Sequence, residues 1–485
     1  MSDFFDSPQF RETLKKYQSW RAGGQGLYLE PDDYADIAEY YQGLGNDDEA
    51  LVAVEEALRI FPNATAPLVS RCHLALLTGD VDTARLFAAK ISDRSDPDYL
   101  MLQGELLLAD QAEDQAVSYY EGLMSQYSGD ERMKYIIDTA TIFADYNAMG
   151  VAREWWNRCK PMNSDPDWPQ NEEEEVRIAY EELEARLLLA EGDYERSLAL
   201  FNRLVGEEPY SGYYWNQIAT CQYMSGRLGE SITSLEYALA INPQDREALL
   251  NKAHALMALH DDRGALDYYR KYTELTPGDS IGHYYQAICL TNIDEPQKAL
   301  RHIEHAERVS ANSDEALADI LQEKAYILSQ LGRFDDALSV ADQLGGIIQP
   351  PEEALVLRGN LYLSHHQQDE AQRCFDRAIE ESHHAAPILL KIAVSVYDNH
   401  FVGKAYQLLK ALKEQEGDGY TAADAYLALC AHDLGMREEY LHYLQRAVRQ
   451  QVNEARQVLG HLFPDDLHPT DYYAYAQNEN NNPSK

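Results

Sequence analysis

A spacing of 34 residues recurs along almost the whole of this 485-residue chain. Short acidic segments that end in a small residue, such as Asp48-Glu49-Ala50, mark the period. Successive markers lie 34, 32, 36, 45, 34, 34, 34, 38, 34, 34 and 35 positions apart, and chance does not produce 34 six times in eleven gaps. A fixed period of this length predicts a series of stacked structural units. The markers are Ala50, Ala84, Ala116, Ala152, Ser197, Ser231, Ala265, Ala299, Ala337, Ala371, Ala405 and Tyr440.

Two further series of residues indicate that each unit is a pair of helices. Twelve positions before every marker lies an Ala, Gly or Cys, and four positions after most markers lies a bulky residue such as Phe201. Apolar residues spaced by three and four give amphipathic helices, and small residues let two helices approach closely. The pattern predicts an all-α solenoid of antiparallel helix pairs. The small residues are Ala38, Cys72, Gly104, Ala140, Ala185, Ala219, Ala253, Ala287, Ala325, Gly359, Ala393 and Ala428.

The units resemble the tetratricopeptide repeat family. The resemblance covers residues 31 to 450, about twelve repeats, and implies a right-handed superhelical solenoid in which the first helix of each repeat lines a concave groove. It also implies a general-purpose protein-binding scaffold. The sequence departs from the family pattern where several repeats lack a closing proline and where Tyr440 replaces the small residue. The motif is clearest in Trp215, Ala219, Gly226, Ser231, Leu235, Ala238 and Pro243.

The charge of the chain excludes two classes of partner. With 41 Lys and Arg against 82 Asp and Glu, the formal net charge is −41, which opposes binding to nucleic acids and to anionic membranes. A hydrophobic content of 45% is too high for a disordered acidic chain. Six cysteines without close pairs, and no apolar run near the roughly 20 residues that span a bilayer, favour a cytoplasmic protein.

The repeats leave room for two caps, one insertion and a tail. The longest gap, 45 residues, contains an acidic insertion that is either a hinge or docking loop, or a longer solvated start to the next helix. Ser7 and Pro8 are a suitable N-cap and first residue for a capping helix, and Asn-rich residues end the chain. The predicted segments are an N-terminal capping helix at 1–30, repeats 1–4 at 31–166, the insertion or joint at 167–177, repeats 5–12 at 178–450, a C-terminal capping helix with a Tyr-rich segment at 451–476, and a disordered tail at 477–485.

Catalytic and metal-binding motifs are missing from the sequence. No phosphate-binding loop, nucleophile elbow or zinc-protease motif occurs, so we expect no enzyme, no catalytic residue and no cofactor. His302 and His305 share a helix face, but no third ligand follows at a convincing spacing, and solvated helix-end histidines are the favoured interpretation over a metal site. Cys221, Cys289 and Cys430 occupy one repeat position, which indicates a small buried slot and not a nucleophile.

The family resemblance assigns four positions of each repeat to the groove, namely six and three before the small residue and one and four after it. Acids fill 8 of these 48 positions, the same 17% as in the whole chain, whereas Lys134 and Arg186 are the only bases. The groove is therefore net acidic because bases are missing. No base occupies the positions three before the small residue, so a clamp for an acidic C-terminal carboxylate is not expected.

Tyr and Asn are concentrated in the middle of the groove. Such side chains combine large contact area with adaptable hydrogen bonds, although each single tyrosine has packing between repeats as its alternative role. The expected function is a non-enzymatic scaffold or adaptor, whose partner is a protein or peptide with apolar or aromatic anchors and Lys or Arg. The alternative is a regulator that senses a peptide or small ligand and whose solenoid changes curvature on binding. The candidate binding residues are Tyr213, Asn216, Thr220, Tyr223, His254, Tyr284, Gln322 and Tyr326.

Overall fold

The computed structural model describes Phe5 and residues 7–23, 28–43, 46–159, 174–310, 314–348, 351–417, 419–464 and 467–478. Over these residues the chain forms 27 α-helices, three short 3₁₀ helices and no strand. The all-α prediction is therefore confirmed. None of the described helices is both long enough and apolar enough to cross a bilayer.

Helices α2 to α25 supply, in turn, the first and the second helix of twelve repeats, in agreement with the number read from the sequence. Helix α1 precedes the repeats, and α26 and α27 follow them. The bounds are α1 Pro8–Arg21, α2 Pro31–Gly43, α3 Asp47–Ile60, α4 Thr65–Leu77, α5 Val81–Ala88, α6 Pro97–Ala109, α7 Glu113–Leu123, α8 Gly129–Asp145, α9 Met149–Asn157, α10 Glu174–Ala190, α11 Tyr194–Glu207, α12 Gly212–Met224, α13 Leu228–Ile241, α14 Arg246–Ala258, α15 Asp262–Leu275, α16 Ser280–Asn292, α17 Pro296–Val309, α18 Asp314–Gln330, α19 Phe334–Gly345, α20 Glu352–Ser364, α21 Gln368–Glu381, α22 Ala386–Asp398, α23 Val402–Glu416, α24 Asp424–Asp433, α25 Arg437–Gln450, α26 Val452–Leu459 and α27 Tyr472–Asn478.

The chain divides into two compact units. The first contains Met1–Ser225 and Thr233–Ala248, and the second contains Gly226–Ile232 and Leu249–Lys485. Most of the predicted insertion at 167–177 lies outside the described residues, and its last four residues belong to α10. The predicted tail at 477–485 also lies outside them, except for its first two residues, which are part of α27.

The small and bulky residue series meet inside each repeat. Two glycines show how closely the two helices approach. A Cβ atom added to Gly104 would lie 2.0 Å from the Cζ atom of Tyr120, and one added to Gly359 would lie 2.3 Å from Cε1 of Phe375. The small residue on the first helix therefore makes space for the bulky residue on the second. The bulky residues, all buried, are Val54, Tyr120, Trp156, Phe201, Leu235, Tyr269, Ile303, Phe375, Leu409 and Leu444.

In eleven repeats, the described turn between the two helices contains a residue with positive φ, which ends the first helix. Glycine adopts this conformation without strain, and Asn, Asp and His tolerate it better than most residues do. In several turns an Asp then caps the second helix, as Asp193 does by accepting a hydrogen bond from the Arg196 amide at 3.3 Å. The turn residues are Gly79, Gln111, Asn147, Gly192, Gly226, His260, Asp294, Gly332, His366, His400 and Gly435.

Both ends of the described chain carry additional apolar packing. Ser7 accepts a hydrogen bond from the amide of Phe10 at 3.2 Å and caps α1, whose Phe10 and Tyr17 are buried in the first core cluster. At the other end, the ring of Tyr472 stacks on Phe463 with ring centroids 3.9 Å apart. The apolar faces of α1 and α27 thus pack against neighbouring repeat helices.

Candidate binding surface

The first unit contains a concave groove of about 1500 Å³, lined mainly by α2, α4 and α6, with residues of α8 and α10 at one end. Among its described lining residues, Arg186 is the one Lys or Arg, and His73 is the one histidine. We call this surface the acidic groove, because seven carboxylates line it. They belong to Asp32, Asp36, Glu39, Asp96, Asp98, Glu105 and Asp145.

The groove positions assigned from the repeat register account for most of this lining in the first three repeats. Eleven of the twelve assigned positions line the groove, the exception being Leu108. Because side chains separated by three or four residues share one face of a helix, each first helix presents one such stripe. The lining residues in this register are Asp32, Ala35, Glu39, Gln42, Ala66, Val69, His73, Leu76, Asp98, Met101 and Glu105.

The carboxylates of the acidic groove are crowded. Loss of hydration within the concave surface, followed by the charges of Glu39 and other nearby acids, raises the pKa of Asp36 to about 6. Loss of hydration also raises the pKa values of Glu39 and Asp98. For His73, burial lowers the pKa, but the hydrogen bond to Glu105 and the surrounding carboxylates outweigh it and raise the pKa overall. The His73 Nε2 atom lies 3.2 Å from Oε1 of Glu105.

The end of the acidic groove adjoins the first of the residues predicted from sequence. Arg186 makes an ion pair with Asp145 at 2.6 Å. Partial loss of hydration, followed by the charge of Glu182, raises the pKa of Tyr213, and the charge of Arg186 opposes this rise. The neighbouring Tyr214 donates a hydrogen bond to Glu182 at 2.9 Å. Tyr213 therefore lies near the Arg186 end of the acidic groove.

The four predicted residues on α12 have different surroundings. Tyr213 and Tyr223 are 39% and 36% exposed, so their rings are accessible. Asn216, by contrast, is only 1% exposed and hydrogen-bonds to Glu247. Thr220 donates its hydroxyl hydrogen to the carbonyl of Asn216 at 3.0 Å. The tyrosines can contact a ligand, whereas Asn216 and Thr220 are engaged within the protein.

The other four predicted residues lie in the second unit. His254 packs edge-to-face against Tyr285 with ring centroids 4.6 Å apart, and burial lowers its pKa. Tyr284 is half-buried beside the same Tyr285, and Gln322 is exposed. Tyr326 is half-buried and accepts a hydrogen bond from the Asn360 amide at 3.2 Å. His254 is thus a packing residue, while Tyr326 belongs to a pocket.

That pocket has a volume of about 340 Å³ and lies among α16, α18 and α20. We call it the Glu323 pocket, because Glu323 is the one charged residue among the described residues that line it. The Thr291 hydroxyl lies within hydrogen-bonding distance of Glu323, 3.2 Å from its Oε1 atom, and burial raises the pKa of this carboxyl. The complete lining is Ile288, Thr291, Asn292, Glu323, Tyr326, Ser329, Gln330, Asn360, Leu361 and Ser364.

Comparison with known proteins agrees with the repeat period and the helix pairs. The model of the tetratricopeptide repeat matches residues 183–246 and 225–280. Residues 183–280 thus match the tetratricopeptide repeat family. Proteins with this repeat bind other proteins or peptides, and the fold supports a role as an interaction scaffold.

Several solved structures are similar to this chain. Yeast Tom70 is 13% identical with a TM-score of 0.40, and the match covers 93% of this chain and 97% of Tom70. A tetratricopeptide repeat protein from Parabacteroides merdae is 16% identical with a TM-score of 0.43, over 52% of this chain and 98% of its own. YrrB, described as having an unusual peptide-binding site, is 18% identical with a TM-score of 0.31, over 37% and 91%. Identities this low transfer no function.

The sequence indicated the acidic groove, but the average over all twelve repeats concealed the enrichment of acids in the first three. Taken over 48 positions, acids occur at the average rate of the chain, but four of the twelve positions in the first three repeats are acidic and none is Lys or Arg. Asp36, Asp96 and Asp145 lie outside the register and were missed. Glu323 was missed for the same reason, since it lies two residues before the small residue Ala325.

The structure also supplies the third histidine that the sequence pattern lacked. The Nδ1 atom of His283 lies 3.1 Å from Nδ1 of His302, and the rings of His283 and His305 are 4.0 Å apart. Burial, followed by the charges of those two histidines, lowers the pKa of His283 to about 4. Over the part of the chain that the structure describes, no group of three His, Cys, Asp or Glu residues has the arrangement of a metal site.

Proposed function

We propose that this protein is a non-enzymatic scaffold or adaptor that holds a basic segment of a partner protein in the acidic groove. The observation that supports this most strongly is the composition of the groove, whose described lining contains seven carboxylates and one arginine. A partner segment with Lys or Arg would supply the missing positive charge. Nucleic acids and anionic membranes carry the wrong charge for this surface.

The crowded carboxylates give the electrostatic basis of this binding. Asp36, Glu39 and Asp98 have raised pKa values, so holding them ionised in the groove costs free energy in the unbound protein. A bound cation lowers that cost and gains a Coulomb interaction in a partly desolvated site. Binding should therefore weaken as salt screens the charges, and it should be faster at low salt.

Aromatic and apolar side chains would add anchors beside the charges. Val69, Leu76 and Met101 line the acidic groove between the carboxylates, and Tyr213 and Tyr223 are accessible on α12. Large rings supply contact area at low conformational cost. The preferred segment would carry Lys or Arg together with apolar or aromatic residues, and the exposed tyrosines are the proposed aromatic contacts.

The test uses a fluorescent synthetic peptide that alternates Lys with Phe and Gly, titrated with the full chain and followed by anisotropy. The double substitution Glu39→Gln and Asp98→Asn should weaken binding about tenfold or more, because it removes two groove charges. Glu113→Gln with Glu154→Gln is the matched control, since both residues are exposed on second helices away from the groove and the change in net charge is the same.

Equal loss of affinity in the two double variants would show that net charge alone attracts the peptide. Such a result would refute binding in the acidic groove. Replacing Tyr213 and Tyr223 with Ala in a second experiment should weaken the Phe-containing peptide and leave a peptide of Lys and Gly nearly unchanged. If both peptides respond alike, these tyrosines are not the aromatic contacts.

A further inference from the structure

We propose that the Glu323 pocket in the second unit is a receptor for one lysine side chain of the partner protein. This inference rests on the proposed function, because it assigns a specific residue type to the partner. It concerns a different place in the chain, however, so the two proposals can fail separately.

Glu323 makes no ion pair with any described residue. Its nearest polar partner is the neutral hydroxyl of Thr291, and its own neighbour Lys324 is paired with Glu307 instead. Burial raises the pKa of the Glu323 carboxyl, because water is partly excluded and no positive charge compensates. A cation that entered the pocket would meet one unneutralised carboxylate.

The remaining lining of the pocket suits an ammonium group. Hydroxyl groups of Thr291, Ser329 and Ser364 and the side-chain amide of Gln330 provide neutral oxygen acceptors around the carboxylate. An ammonium has three donors that can turn toward such acceptors, whereas the planar guanidinium of arginine prefers a paired, two-point contact with a carboxylate. The volume of about 340 Å³ is at the lower end of small-ligand pockets, which agrees with a single side chain.

A second feature orients the backbone of the bound partner. The side-chain oxygen of Asn360 accepts a hydrogen bond from the Asn399 amide at 2.6 Å, while its nitrogen donates to the Tyr326 hydroxyl at 3.2 Å. Both polar ends of Asn360 are thus occupied, and Tyr326 is held in place. The hydrogen of the Tyr326 hydroxyl has no acceptor among the described residues, so it can be donated to a backbone carbonyl of the ligand.

The pocket therefore offers two complementary contacts at one site. Glu323 accepts from the ammonium group, and Tyr326 donates to a carbonyl of the same residue or its neighbour. A free alkylamine can make the first contact but not the second. This difference separates a lysine within a peptide from a small amine metabolite as the natural occupant.

The experiment places 3-fluorotyrosine at position 326 of the full chain and follows its fluorine resonance. Three probes are titrated separately, namely Nα-acetyl-lysine methylamide, its norleucine counterpart without the charge, and butylamine without the backbone. The lysine amide should give a saturable shift, the norleucine amide should give none, and butylamine should bind about threefold or more weakly. Glu323→Gln should weaken the lysine amide about tenfold.

Asp319→Asn is the matched control, because Asp319 is exposed one turn earlier on α18 and does not line the pocket. It should change the affinity by less than about twofold. An equal response to lysine and norleucine amides, or an unchanged affinity in Glu323→Gln, would overturn the proposal. Equal affinity for butylamine and the lysine amide would overturn the assignment to a peptide. Since the resonance reports this pocket, none of these outcomes depends on the acidic groove.

Discussion

Replacing Gly104 with Ala tests the role of the small-residue series directly. Gly104 lies on α6, and its absent Cβ would fall 2.0 Å from Cζ and 2.3 Å from the hydroxyl oxygen of Tyr120. The Tyr120 ring is fully buried and cannot move freely, since it packs edge-to-face on Phe143 at 5.7 Å and its hydroxyl donates to the carbonyl of Met101 at 2.8 Å. The added methyl group therefore requires a displacement of the ring.

Three contributions set the size of the expected effect. Overpacking a core costs about 1–3 kcal/mol, and losing the tyrosine hydrogen bond costs about 1 kcal/mol more. Against this, Ala favours a helix over Gly by about 1 kcal/mol. The free energy of unfolding of Gly104→Ala should therefore fall by about 1–3 kcal/mol, although helix propensity alone would predict a gain.

The assay is urea unfolding followed by tryptophan fluorescence, because Trp155 lies 6.5 Å from the Tyr120 ring and reports on this cluster. Gly122→Ala is the matched control, since Gly122 lies near the end of α7 with nothing within 4 Å of an added Cβ. It should be neutral or slightly stabilising. Tyr120→Leu should cost less in the Gly104→Ala background than alone, with a coupling of about 1 kcal/mol. The reasoning fails if Gly104→Ala matches the control, or if the double variant is additive.

Two further predictions concern carboxylates that are removed from water in part or completely. Asp424→Ala should lower the free energy of unfolding, measured with urea, by about 3–5 kcal/mol, because it leaves the buried Lys413 ammonium without its carboxylate. A loss of less than about 1 kcal/mol would show that the hydrogen bond to the carbonyl of Tyr420 is enough to stabilise this ammonium. Asp36→Asn should raise the melting temperature at pH 7.5 but not at about pH 4. The pKa of Asp36 is raised to about 6 in the folded state, so ionising this carboxyl as the pH rises from about 4 to 6 destabilises the folded protein. The variant has no carboxyl at this position and escapes that loss of stability. An equal gain at both pH values would contradict this.

The sequence by itself determined the repeat and its internal register. A 34-residue period with small and bulky residues at fixed offsets depends only on helix geometry and on two helices meeting at one spot, so both can be read from spacing. The family resemblance, applied to this register, assigned eleven of the positions that line the acidic groove. It also gave the predicted N-cap at Ser7, because capping is a local interaction.

Only the tertiary structure decided which of those positions carry accessible chemistry. Asn216 and His254 have the right register but are engaged in internal contacts, whereas Glu323 has the wrong register and lines a pocket. A periodic pattern predicts the direction in which a side chain points from its own helix. It does not state how closely neighbouring helices pack around that side chain, and the burial and charge that follow from this packing determine which residues can meet a ligand.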